Sequence, residues 1–111
     1  MNKLRIIISD NAAMFIRKQP LKVQEKIAYN IKKVESGIID DNLFKKLGKS
    51  EIWELRTLFF GACYRLFAFW DADVGALVVV THGIVKKTNK TPIKEIVKAE
   101  KLKLEYYKQK R

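Results

Sequence analysis

Apolar residues recur along this chain with two different periods, and the switches between them mark out its elements. Leu4, Ile6, Ile7 and Ile8 form a compact β-prone run that predicts a strand over 4–8. Ser9 or Asp10 can cap a short helix over 10–18, and Pro20 interrupts it while suiting the first turn of a second helix. In that second helix Val23, Ile27, Ile31 and Val34 follow spacings of four, four and three, which places them on one stripe. Ser36-Gly37 ends it, with Gly37 able to take the left-handed cap. Residues 38–50 read as a loop.

The period then changes to two. Over 51–58, Trp53, Leu55 and Thr57 point one way and Ile52, Glu54, Arg56 and Leu58 the other. A turn near Phe60-Gly61 leads into a strand over 62–70, where Cys63, Arg65, Phe67 and Phe69 share a face opposite Tyr64, Leu66, Ala68 and Trp70. Asp71 to Gly75 makes a hairpin turn, and 76–82 is so continuously apolar that it predicts a central strand buried on both faces. Thr91-Pro92 starts a last helix, a hydroxyl cap followed by proline, which runs to about Tyr107. Its expected inner stripe is Ile93, Ile96, Val97, Glu100 and Leu104.

The order β-α-α-β-β-β-α predicts an α+β fold. Two N-terminal helices pack on a twisted, mainly antiparallel sheet of about four strands, and a C-terminal helix follows. With 111 residues the whole of 1–111 is expected to be one domain. Apolar content of 48% supports a packed core, and no apolar run is long enough to span a membrane. The three-residue patch Ile6-Ile7-Ile8 is too short for a signal-peptide core. The single Cys63 cannot pair within the chain, which fits a reducing cytoplasm.

Charge is the strongest compositional signal. The net charge is +11, and between Lys86 and Arg111 ten Lys or Arg face three Glu. Such a field draws polyanions at long range, and an acidic protein surface equally. A solubilising surface is the plain alternative.

Glu54 and Arg56 are two apart on a strand and share a face, and a hairpin can bring Arg65 beside them on an exposed sheet face. An arginine fork matches phosphate, although a cross-strand ion pair that only stabilises the sheet is the more common use of such residues. Lys86, Lys87 and Lys90 sit between the central strand and the last helix, where they can hold backbone phosphates; Lys45, Lys46 and Lys49 form a second cluster at the same rim. His82 is the only histidine, and at the end of a buried strand a hydrogen-bonded structural role outweighs acid–base work. One His, one Cys and scattered carboxylates do not compose a metal site, and no glycine-rich phosphate loop is present, so neither metal nor cofactor is expected. Tyr64, Tyr106 and Tyr107 stay open as stacking or proton-donating groups.

Three segments together, Trp53-Glu54-Leu55-Arg56, Tyr64-Arg65-Leu66-Phe67 and Gly83 to Thr88 with Thr91-Pro92, resemble the RelE/ParE superfamily of type II toxins, specifically its phage-derived HigB-like branch. The similarity spans nearly the whole chain. It implies a toxin of a toxin–antitoxin system that cuts mRNA on the translating ribosome in the cytoplasm. The substrate's own 2′-hydroxyl attacks the adjacent phosphate, and the protein supplies orientation and charge in place of a metal. On that resemblance Glu54, Arg56, Arg65 and Lys87 are the catalytic candidates. Arg65 stabilises the phosphate in the transition state, Arg56 positions the backbone, and Glu54 acts as a general base or holds the arginines. Lys45, Lys46, Lys86 and Lys90 are the RNA-binding candidates. Ile52 and Glu54 stand where the superfamily's well-known enzymes carry lysines, so a lysine-based proton transfer does not carry over. The implied partners are mRNA, the ribosome and a cognate antitoxin, in this branch commonly a small helix-turn-helix protein. A ParE-like gyrase inhibitor and a non-catalytic nucleic-acid-binding relative are the competing readings.

Overall fold

The computed structural model describes residues 3–88 and 90–110. Its elements are β1 (Arg5–Ile8), α1 (Asp10–Arg17), α2 (Leu21–Glu35), β2 (Phe44–Lys46), β3 (Trp53–Phe59), β4 (Ala62–Trp70), β5 (Leu77–Lys86) and α3 (Ile93–Gln109). The predicted order holds, with one strand more than expected. Phe44–Lys46 lies within the segment read as a loop and pairs antiparallel with Trp53–Leu55. Three residues carry no usable periodicity, so only the partner strand reveals them as a strand.

The five strands run β1-β5-β4-β3-β2, with β1 parallel to β5 and every other pair antiparallel. β5 is central, between β1 and β4, and Leu77 to His82 are buried on both faces as their apolarity predicts. It runs four residues past the predicted end at His82, pairing through to Lys86 opposite Cys63. The register slips between Phe67 and Ala68, which leaves Thr81 as the extra residue of a bulge whose hydroxyl donates to the Phe67 carbonyl at 3.1 Å.

Local signals set the ends of the elements. The Ser9 hydroxyl caps α1 by accepting from Ala12 N–H at 3.2 Å, and Gly37 closes α2 at φ 100°. The β3–β4 hairpin turns on Phe60 and Gly61, both at positive φ, as a tight two-residue turn requires. Phe60 is 94% exposed at its tip.

Two cores flank the sheet. On one face Val23, Ile27 and Val34 of α2 and Ala12 of α1 pack against Leu55, Leu66, Ala68, Val78 and Val80. On the other, Ala99 of α3 is fully enclosed against a layer holding Ile52, Phe67, Phe69 and Val79, with Ile96, Tyr106 and Tyr107 alongside. This corrects the predicted stripe of the last helix. Ile93, Val97 and Leu104 are exposed, and Glu100 is exposed too. The helix turns its small residue inward because Ala99 lets its backbone approach the aromatic layer closely.

The end of α3 is tied down by a polar cluster. Tyr106 Oη donates to Asp71 Oδ2 at 2.7 Å, Lys110 Nζ does the same at 2.7 Å, and Tyr107 Oη accepts from Ala72 N–H at 2.7 Å. The Lys110 hydrogen bond, opposed by burial and aided by Tyr106, holds the Asp71 carboxyl down at about 2. The two C-terminal tyrosines therefore serve as anchors of the helix.

Candidate functional site

The alternation of β3 and β4 puts Glu54, Arg56 and Arg65 on one face, and Arg56 lies directly opposite Arg65 in the register. The expected convergence is present, but the expectation of an exposed sheet face is corrected. Arg65 is fully enclosed and Glu54 is 2% exposed, because the segment between β5 and α3 folds down over them. Arg65 Nη1 lies 3.3 Å from Glu54 Oε2 and donates to Thr91 Oγ1 at 2.8 Å, while Nη2 donates to the Thr88 carbonyl. The Thr91 hydroxyl in turn donates a hydrogen bond to Glu54 Oε2 at 2.7 Å. Thr91 is thus not the helix cap that Thr-Pro suggests; Pro92 takes the cap position without a side-chain bond, and the hydroxyl serves the ion pair instead.

Glu54 Oε1 faces Arg56 Nε at 3.5 Å. That is within ion-pair distance, yet Nε makes no hydrogen bond, and Arg65 Nε has no partner either. Two guanidiniums therefore share one carboxylate and retain unspent donors. Arg56, with 17% of its side chain exposed, is the member of the group that solvent reaches.

Four lysines stand around this group. Lys45 is opposite Glu54 in the β2–β3 register, and Lys86 is opposite Cys63, which shares Arg65's face, so both lie on the same side of the sheet as the arginines. Lys87 and Lys90 are exposed on the covering segment. An open hollow of about 350 Å³ is lined by Lys86, Thr88, Lys90, Thr91, Pro92 and Ile93. Lys46 follows Lys45 on the strand and points to the opposite face, away from the others.

His82 has the structural surroundings expected of it. Nδ1 lies 2.9 Å from Thr81 Oγ1 and Nε2 lies 3.0 Å from Glu95 Oε1, with the ring stacked on Phe67 at 4.9 Å between centroids. Burial pushes its pKa below 6.5, against the opposing pull of the Glu95 hydrogen bond and with a further push from Lys98. Both ring nitrogens are engaged, so the imidazole ties β5 to α3. Among the described residues no three His, Cys, Asp or Glu side chains gather as a metal site would require, and no helix is long and apolar enough to cross a membrane.

A mixed five-stranded sheet with two helices on one face and a third helix on the other has counterparts among solved structures. A double arginine-to-alanine mutant of the E. coli toxin RelE in the free state superposes with a TM-score of 0.60 at 18% identity, over 88% of this chain and 94% of that one. The isolated E. coli RelE toxin gives 0.53 at 22% identity, over 87% and 97%. These likenesses establish a RelE-like fold. The family described as "Phage derived protein Gp49-like (DUF891)" matches residues 14–103. The chain belongs to that family, which is of the RelE/ParE toxin type. No curated protein matches it.

Proposed function

We propose that this protein is the toxin of a type II toxin–antitoxin pair and acts as a ribosome-dependent mRNA endonuclease. The observation that supports it best is the unbalanced charge at the Glu54 group: two guanidiniums on one carboxylate, both Nε unpartnered, with Lys45, Lys86, Lys87 and Lys90 around them. A buried cation with unspent donors is costly unless an anion completes it, and a phosphodiester fits.

In this reading the 2′-oxygen of the message attacks the adjacent phosphorus and the P–O5′ bond breaks. The products are a 2′,3′-cyclic phosphate and a free 5′-hydroxyl. Arg56 contacts the phosphate as negative charge builds on its oxygens. Arg65 works from beneath, adding its charge and holding Thr88 and Thr91 so that the lysines keep their places. Glu54 aims both guanidiniums. Lys87 stands beside the departing 5′-oxygen, and Lys45, Lys86 and Lys90 bind the backbone on either side. Lys46 contacts ribosomal RNA from the other face. An antitoxin covers the basic surface when the toxin is silent.

The test is induction in a bacterial host with 5′-end mapping of mRNA over the first minutes. Cuts inside translated codons that vanish when translation of that message is blocked are expected. Growth arrest with intact mRNA would overturn the nuclease reading in favour of gyrase inhibition.

A further inference from the structure

A second cationic surface lies away from the lysine segment, at the open edge of β3. Beyond Leu55 the short β2 no longer pairs with β3, and the chain before it crosses the gap through a single bond from Arg56 N–H to the Leu43 carbonyl at 2.8 Å. This leaves a groove of about 230 Å³ between α2 and the 38–43 segment. Its walls are aliphatic: Ile38 is 46% exposed, Leu58 is 60% exposed, and Leu43 forms the buried floor. Its rim is cationic, with Lys26 and Lys33 from α2, while Arg56 meets Leu43 and Asn30 through its backbone.

Little inside the protein satisfies that charge. Asp40 is the one carboxylate lining the groove, and its Oδ1 already accepts from Asn42 N–H at 2.7 Å. Among the described residues neither Lys26 nor Lys33 forms an ion pair; Lys33 rests over the Tyr29 ring at 5.6 Å. Exposed leucine and isoleucine beside cations that have no partner within the protein match a partner that brings aliphatic side chains and carboxylates together. The volume is below that of a typical small-molecule site and suits one or two side chains of a peptide. Aliphatic walls also offer nucleic-acid bases no ring on which to stack.

We infer that this groove docks an acidic, leucine- or isoleucine-bearing segment of a protein partner, with the aliphatic side chains between Ile38 and Leu58 and the carboxylates on Lys26 and Lys33. The inference takes from the toxin reading only that a protein partner exists.

The experiment titrates the isotope-labelled full chain with a short peptide of alternating glutamate and leucine, and separately with its glutamate–serine analogue and with a short single-stranded RNA. The methyl resonances of Ile38, Leu43 and Leu58 are followed. Expected are shifts of these methyls with the leucine peptide, at least about tenfold weaker binding of the serine analogue, and loss of binding in a Lys26→Glu, Lys33→Glu variant. Leu58→Ser, at an exposed position, weakens the peptide and leaves the fold intact. Equal response to the serine analogue or the RNA, no response to any probe, or self-association through these methyls would each overturn the inference. Binding is read directly, so failure of mRNA cleavage leaves this outcome unaffected.

Discussion

Arg65 and Thr91 are 26 residues apart in the chain and 2.8 Å apart in space. The arginine donates to the threonine hydroxyl, the hydroxyl donates to Glu54, and so the start of α3 is latched to the middle of the sheet. The segment that carries Lys86, Lys87 and Lys90 is held at this point. A residue with the look of a helix cap is in fact the clasp of the lysine segment.

Thr91→Val keeps the shape and removes the hydroxyl, leaving Arg65 and Glu54 each short of one bond. The expected cost is about 1–3 kcal/mol, with faster trypsin cleavage at Lys86, Lys87 and Lys90 in the native state. Thr91→Ser restores both. Equal protection in the valine variant would show that the latch does not hold the segment.

Arg65→Ala leaves the buried Glu54 only the Thr91 hydroxyl and the more distant Arg56, so a loss of about 3–5 kcal/mol is expected in denaturant unfolding. Loss of toxicity in that variant alone therefore does not identify a catalytic group, contrary to the simplest reading of an exposed arginine pair. Arg56→Ala, at a partly exposed side chain, should unfold close to wild type while losing mRNA cleavage. A stable Arg56→Ala variant that still cuts would remove Arg56 from the site.

Two buried groups set the acid limb of stability. His82 has a folded pKa below its ordinary 6.5, so the unfolded chain binds the proton more readily. The contribution is complete above 6.5 and declines as pH falls below it, a slope that His82→Gln should flatten in thermal melts. Asp71, held near 2 against an ordinary 3.8, adds stability that is complete above 3.8 and is lost as pH falls toward 2. Asp71→Asn should lower the melting temperature by several degrees and release the last turn of α3, seen as faster amide exchange there.

Gly83 has no room for a side chain. A Cβ there would stand 2.4 and 2.6 Å from the Phe15 ring and 2.9 Å from Leu66 Cδ2. Gly83→Ala is expected to cost about 1–3 kcal/mol by overpacking the contact between α1 and β5. Combining it with Phe15→Leu should recover part of the loss.

The features legible along the chain are local ones. The Val23–Val34 stripe, the alternation around Glu54 and Arg56, the Ser9 cap, Gly37 and the Phe60-Gly61 turn all depend on neighbours a few residues away, and each forms where it was predicted. The pairing of Arg56 with Arg65 was also legible, since a tight hairpin fixes its own register. Tertiary structure decided the rest. Three residues of β2 become a strand only because β3 offers an edge, and Ala99 becomes the inner contact of α3 only because Phe67 and Phe69 lie beneath it. Glu54 and Arg65 are buried because Thr88 and Thr91, distant in sequence, close over them. The groove beside Leu58 exists because β2 stops short. Burial and convergence are properties of segments meeting across the chain, and periodicity along one segment carries no record of what will cover it.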